Sequence, residues 1–295
     1  VLVSLLAREQ EFQRLQAEDA LAAAATCGFE AEVVYAEGNA ILQIQQLYRS
    51  IHLPEHERPR AIVVETVVGE GLERVARAAT AAGMGWVLIN RRVGYLDGLR
   101  REHPQLPICM VSTDQVEVGR IQGRQFRALI ASGVGLVLYV MGPADTSVAQ
   151  DRLQGAREAV AGTRIELRTL DGQWTEASGE QALQSWLRLA TSAELKPAVV
   201  GCQNDAMAVG ARRALQNAKG RAELARVPLT GCDGLLDGGR RLVDMRQLAA
   251  TVVVPSNTRP AIELVRRALE TGLPPPAEVR LQPSSYPAEN QVRPA

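Results

Sequence analysis

Short apolar runs alternate with longer stretches of helical periodicity from one end of the chain to the other, and few folds accept that alternation. A strand, a helix and a second strand close as a parallel pair only when the helix packs across the sheet. A long series of such units therefore builds parallel sheets with helices on both faces. The spacing predicts strands near 1–5, 31–36, 61–65, 86–90 and 108–112, then a second set near 135–141, 164–169, 197–202, 227–231 and 249–254. Helices fall between them. One over 10–26 stops at Gly28 and another over 69–83 stops at Gly83, both using glycine as a C-terminal signal. A late helix over 258–271 precedes Pro274-Pro275-Pro276, and a last extended piece is expected over 278–284, before a polar tail containing Pro283, Pro287 and Pro294.

Two sets of five strands predict two similar α/β lobes, and 295 residues with 46% hydrophobic composition are enough to bury two cores. Aromatic residues are only 4%, so Ala, Val, Leu and Ile must do the packing, as they do in sheets covered on both faces. No Gly-, Ser- or Pro-rich linker separates the sets. The passage through 110–116 is short and mixed, which suits lobes joined by a hinge. Lys plus Arg equals Asp plus Glu at 33 each, and no basic run occurs, so nucleic acid is not an expected partner of this chain. Cys27, Cys109, Cys202 and Cys232 form no Cys-x-x-Cys pair and read as core thiols rather than zinc ligands. No stretch is long and apolar enough to span a bilayer. The chain begins inside Val1-Leu2-Val3, itself a strand pattern, and an upstream leader is expected to have been removed.

The familiar catalytic signatures are missing. Gly69-Glu70-Gly71 follows a strand and opens a helix, as a dinucleotide turn would, but Arg74 stands where the third glycine must permit close helix packing. No phosphate loop, nucleophile elbow or His-Glu-x-x-His helix is present, and His52, His56 and His103 lie in polar, proline-containing stretches. With no nucleophile–base pair, no cofactor fingerprint and no metal set, the chain reads as a binding protein rather than an enzyme.

Polar groups cluster instead at the carboxyl ends of predicted strands, where open parallel sheets bind their ligands. Asn90-Arg91-Arg92 follows Trp86-Val87-Leu88-Ile89, Ser112-Thr113-Asp114 follows Ile108-Cys109-Met110-Val111, Gln203-Asn204-Asp205 follows Val199-Val200, and Asp233 follows Leu229-Thr230 and a glycine. Each alone is equally a helix N-cap, since caps and ligand contacts use the same groups at the same place. Four strands ending this way make a pattern.

At this point a family resemblance emerges. The run Gln203-Asn204-Asp205-Ala206-Met207-Ala208-Val209-Gly210-Ala211 resembles the signature of periplasmic sugar-binding proteins of the ribose-binding type, which is shared with effector domains of lac-repressor-like regulators. Thr146-Ser147 with Arg152 and Gly155-Ala156, Gly231-Cys232-Asp233-Gly234 with Leu248-Ala249-Ala250-Thr251-Val252, and Ala288-Glu289-Asn290-Gln291-Val292 are similar to further family segments in the same order.

The resemblance implies the type I periplasmic-binding fold: two Rossmann-like lobes with parallel sheets joined by a three-crossing hinge. The expected lobes are 1–112 with 256–282 and 113–255 with 283–295, crossing near 112–114, 254–256 and 282–285. It implies a ligand set of Asn90, Thr113, Arg152, Trp174, Asn204 and Asp233, with Phe12 near the first strand. Arg91 and Asp114 join them as strand-end neighbours. Such groups supply hydrogen bonds to vicinal hydroxyls while an aromatic face covers the C–H side of a sugar ring. By its position Trp174 is equally a core anchor.

Three departures stand out. The family usually has Asp-Arg where Asn90-Arg91 stands, Ala7-Arg8-Glu9-Gln10-Glu11-Phe12 replaces an asparagine- and aromatic-rich segment, and Val254-Pro255 occupies a place that often holds glutamine. These point away from a standard pentose or hexose toward a sugar-like ligand of different charge or size. The implied role is the exported, periplasmic solute-binding component of an ABC importer, with a sugar or polyol and a membrane permease as partners. The alternatives are the effector domain of a lac-repressor-like regulator or the sensing domain of a membrane receptor.

Overall fold

A computed structural model describes residues 1–189 and 195–293; Pro294, placed in the polar tail above, lies outside them. The strands are β1 (Leu2–Leu5), β2 (Glu32–Tyr35), β3 (Ala61–Val64), β4 (Gly85–Ile89), β5 (Ile108–Thr113), β6 (Val134–Met141), β7 (Arg164–Asp171), β8 (Pro197–Cys202), β9 (Leu229–Asp233), β10 (Ala250–Val253), β11 (Glu278–Leu281) and β12 (Ser284–Tyr286). The helices are α1 (Glu11–Cys27), α2 (Ala40–Ile51), α3 (Glu73–Ala81), α4 (Leu96–Glu102), α5 (Gln115–Leu129), α6 (Ser147–Val160), α7 (Glu176–Leu187), α8 (Asp205–Gln216), α9 (Arg241–Asp244) and α10 (Thr258–Thr271). The helix expected over 69–83 is tighter at its start: 69–72 is a 3-10 turn, and Glu73 opens the α-helix proper.

The strands sort into two sheets, ordered β11-β5-β4-β3-β1-β2 and β12-β10-β9-β8-β6-β7. The chain divides accordingly into two units, Val1–Thr113 with Ser256–Leu281 and Asp114–Pro255 with the chain from Gln282 onward, so it passes between them three times. The sequence predicts one extended piece over 278–284, but the structure breaks it into two strands. β11 pairs parallel with β5 in the first sheet, whereas β12 pairs antiparallel with β10 in the second. Each sheet thus has six strands, and the second is not wholly parallel. Gln282-Pro283 causes the break, because proline offers no N–H to continue a ladder and favours extended backbone before it.

In the first unit β3 and β4 are buried along their whole length, which accounts for their unbroken apolar sequence. One face packs Leu47, Ile51, Val75, Trp86 and Leu99; the other packs Ala17, Ala20 and Ala24 of α1 with Ala261, Ile262 and Val265 of α10. The start of α10 is capped from outside. Gln16 Oε1 of α1 accepts from the N–H groups of Asn257 and Thr258 at 2.7 and 3.2 Å, and Arg259 pairs with Asp19 at 2.6 Å.

In the second unit α5 and α6 touch backbone to backbone. A Cβ on Gly119 would collide with the Arg152 carbonyl, and one on Gly155 with the Val116 carbonyl. Gly179 and Gly210 make the same kind of contact between α7 and α8. The tail is tied to this unit by Arg124 to Glu289 at 2.6 Å and by Val292, which is buried beside Phe126 and Tyr139. No helix among the described residues is long and apolar enough to cross a membrane.

Candidate functional site

In both sheets the strand order reverses beside one strand: β1 lies between β2 and β3, and β6 between β7 and β8. Reversal opens a crevice at the carboxyl ends of those strands, where the next helices diverge to opposite faces. The side chains there form one polar cluster in each unit.

In the first unit the cluster centres on Glu65, the residue after β3, which is 1% exposed. Its carboxylate accepts from Gln13 Nε2 and from Asn90 Nδ2, both at 2.9 Å, and Arg91 Nε lies 3.8 Å away. Gln13 Oε1 accepts from the Leu6 N–H at 3.0 Å. Gln43 accepts from the Val67 N–H at 3.0 Å and donates to the Glu65 carbonyl at 2.8 Å. A carboxylate or carbonyl can only accept and a backbone N–H can only donate, so each of these amides has one possible orientation. Arg91 also donates to the carbonyls of Thr66 and Val67 at 2.9 and 2.8 Å, which binds the segment after β3 to the end of β4. Asn90 has φ 67, a left-handed geometry that asparagine tolerates better than most residues.

The other predicted residues of this end differ in role. Thr113 closes β5 with its hydroxyl buried and without a partner among the described residues. Asp114 is the N-cap of α5, accepting from the Glu117 N–H at 3.0 Å, so of its two possible roles the structure displays the cap. Phe12 is half-buried in the first turn of α1, and it is its neighbour Gln13 that enters the polar cluster.

In the second unit the cluster centres on Arg152 of α6, which is 4% exposed. Its Nε donates to Gln115 Oε1 at 2.8 Å, a second nitrogen donates to the Gln203 carbonyl, and its guanidinium lies 5.6 Å from the centre of the Trp174 ring. Arg152 makes no ion pair with another described residue, so its charge rests on neutral acceptors and an aromatic face. Trp174 follows β7 at φ 62 and lies over Gly142, where a Cβ would occupy the ring's place. The indole touches both apolar clusters of this unit while staying half-buried, so it is core and surface at once.

Asn204 joins two elements. Its Nδ2 donates to the Trp174 carbonyl at 2.9 Å, and its Oδ1 caps α8 through the Met207 N–H at 2.9 Å. Asp233 ends β9 at φ 108, an uncommon conformation for a side-chain-bearing residue and one that persists only when its surroundings hold it. Asp205, buried at the start of α8, accepts from the Gly234 N–H at 2.8 Å and from Thr251 Oγ1 at 2.7 Å, and so fixes the backbone next to Asp233. Gln203 completes the cluster, accepting from the Gly142 N–H and donating to the Ala149 carbonyl, both at 3.0 Å.

The structure thus gathers Asn90 and Arg91 in one unit, and Arg152, Trp174 and Asn204 in the other. Glu65, Gln13, Gln43 and Gln115 were not among the residues the sequence singled out. Glu65 carried a visible signal, a charged residue directly after Ala61-Ile62-Val63-Val64. The glutamines carried none, because a glutamine inside a helix looks solvated until its neighbours are known. Burial raises the thiols of Cys109, Cys202 and Cys232, that of Cys109 to about 12, so none is a thiolate nucleophile at neutral pH. No group of three or more potential metal ligands occurs among the described residues.

The family model for the periplasmic binding protein domain matches residues 1–270. This chain belongs to that family. Ribose import binding proteins of Salmonella typhimurium and Escherichia coli are 34% and 33% identical to this periplasmic binding protein over 146 residues, 49% of its length and 46% of theirs. The chain therefore spans about half the length of the curated relatives it matches. Among solved structures, the arabinose-binding component of a Shewanella ABC transporter is 20% identical with a TM-score of 0.83, covering 98% of this chain and 93% of its own. The myo-inositol binding protein of Caulobacter is 19% identical with a TM-score of 0.81, covering 96% and 91%. At such identities the likeness is one of fold: two α/β lobes built on parallel-type sheets.

Proposed function

We propose that this periplasmic binding protein is an exported solute receptor that captures a sugar or sugar-like polyol and hands it, unchanged, to the membrane permease of an ABC importer. The observation that carries this reading is Arg152, a buried guanidinium held by Gln115 Oε1 and the Gln203 carbonyl and set against a half-exposed indole at the carboxyl edge of a sheet. That combination suits a polyhydroxylated ring, which accepts hydrogen bonds at its rim and offers C–H groups to the aromatic face. Asn90 and Asp233 supply acceptors, and Arg91, Thr113, Asp114, Asn204 and Phe12 complete the proposed site. The two lobes are proposed to be 1–112 with 256–282 and 113–255 with 283–295, hinged where the chain crosses. Closure then follows from the ligand's higher affinity for the state in which both clusters reach it. The ribose, arabinose and myo-inositol named for the relatives support the ligand class, and the family's solute binders support a periplasmic setting without catalysis.

Mass spectrometry of the small molecule released on denaturing the purified protein, followed by calorimetric titration with D-ribose, L-arabinose, D-allose and myo-inositol, tests the reading. A bound sugar or polyol recovered intact is the expected result. Chemical conversion of the bound molecule, or binding of a quite different class, would overturn it.

Trp174 gives an independent check. The other two tryptophans, Trp86 and Trp186, are fully buried, so iodide should quench Trp174 alone. The sugar found by titration should protect it. Trp174→Ala should also cost about 2–3 kcal/mol of stability, below the roughly 3–5 typical of a fully buried ring, because the indole is only half-buried. Quenching that does not respond to ligand would remove the ring from the site.

A further inference from the structure

The outer strands of a sheet present backbone donors and acceptors to which a further strand can add, and folded proteins keep such edges short, bulged, covered or guarded by charge. The outer strands here are β2 and β11 of the first sheet and β12 and β7 of the second. Three of them are blunted by length, at four, four and three residues. β7 is not. It runs for eight residues, Arg164–Asp171, and pairs with β6 in unbroken register from end to end. It contains no proline, glycine or lysine, and no strand among the described residues pairs with its other side.

The side chains of β7 alternate. Ile165 and Leu167 pack on the apolar cluster that holds Phe126 and Val160, Ile165 buried and Leu167 half-buried. Arg164, Glu166, Arg168 and Leu170 take the opposite face, since residues two apart on a strand share a side. Arg168 and Glu166 pair at 2.7 Å and remain 39% and 61% exposed, so the edge carries both signs of charge rather than a run of one.

That order is self-complementary. When two copies of β7 meet antiparallel across a two-fold axis at Leu167, Glu166 of each copy falls opposite Arg168 of the other. Leu167 then meets Leu167, Arg164 meets Leu170 and Ile165 meets Thr169. Moving the axis to either neighbouring residue sets Glu166 against Glu166 or Arg168 against Arg168, so charge selects one register.

We propose that β7 is a pairing surface for a second copy of this chain, which adds antiparallel at Leu167 and joins the second sheets of two molecules into one continuous sheet. The backbone ladder supplies the attraction, and the Glu166–Arg168 pairs supply the register. Exposed ion pairs add little attraction by themselves, but like charges set opposite each other resist pairing, so the charge pattern decides which partner fits. A second copy fits because the pattern matches itself. The contact uses the second unit alone and is independent of the solute the protein binds.

Sedimentation velocity of the full chain over a concentration series up to the millimolar range tests the proposal. The samples are wild type, Glu166→Arg, Arg168→Glu, an equimolar mixture of those two variants, and the double charge swap. Wild type should dimerise. Each single variant creates two like-charge contacts across the axis, and its dimer dissociation constant should rise roughly tenfold or more. The mixture should form a heterodimer, because the two arginines of one variant meet the two glutamates of the other. The double swap exchanges the signs and should dimerise within about threefold of wild type, since paired charges do not act additively. Both side chains are exposed, so thermal denaturation of every variant should follow wild type and exclude misfolding as the cause. A wild type that stays monomeric throughout would overturn the proposal. So would single variants that dimerise as tightly as wild type, or a mixture that forms no heterodimer.

Discussion

Replacing Arg152 by alanine is expected to weaken ligand binding by about 2–5 kcal/mol, roughly 30- to 5,000-fold, measured by calorimetry with the sugar recovered from the protein. The large effect follows from burial. A guanidinium 4% exposed, with no carboxylate partner among the described residues, gains most from a ligand that accepts its remaining donor capacity. Its loss also leaves Gln115 Oε1 and the Gln203 carbonyl without their donor, so a stability loss of about 1–3 kcal/mol should accompany it. Arg152→Lys should not rescue, because an ammonium cannot reach both acceptors in the planar geometry a guanidinium uses. Asp233→Ala should weaken binding on the same scale. If both alanine variants bind as tightly as wild type, the proposed site is wrong.

The second large effect concerns Gly155. Alanine there should cost about 3 kcal/mol or more and lower the melting temperature by roughly 6–10 °C, because its Cβ falls on the Val116 carbonyl and neither helix backbone can yield without moving the other. Arg152 precedes Gly155 on α6 by less than one turn, and its partner Gln115 opens α5. Forcing the helices apart should therefore loosen ligand binding as well. Gly69→Ala is the control, since a Cβ there meets open space; its thermal denaturation should shift by less than about 0.5 kcal/mol. Equal losses at both positions would show that close helix approach is not the cause.

These two cases mark where sequence is legible. Gly28 was readable as a helix stop because the left-handed conformation at φ 74 is a local requirement that glycine meets most easily. Gly155 has no such local signature: it lies inside a helix, where glycine is merely a poor residue, and its reason is the Val116 carbonyl of another helix. The strand-end residues fall between these cases. Position alone marked Asn90, Asp114 and Asn204, but position could not separate a cap from a contact. Only the hydrogen bonds show that Asp114 caps α5, while Asn204 both caps α8 and holds the Trp174 carbonyl.

By itself, the sequence determined the alternating strands and helices, the apolar centre of each sheet, the grouping of polar residues at carboxyl ends and the likeness to periplasmic sugar-binding proteins. All of these depend on periodicity, on backbone preference and on residues close together along the chain. The tertiary structure alone decided that the strand after the 282–285 crossing pairs antiparallel with β10, that Glu65 stands behind Asn90, and that Gln115 and Gln203 clasp Arg152. These pairings join residues 25 to 51 positions apart where a specific donor must meet a specific acceptor, or set neighbouring residues on different partner strands. No local pattern encodes such a meeting, because it exists only once the intervening helices have packed.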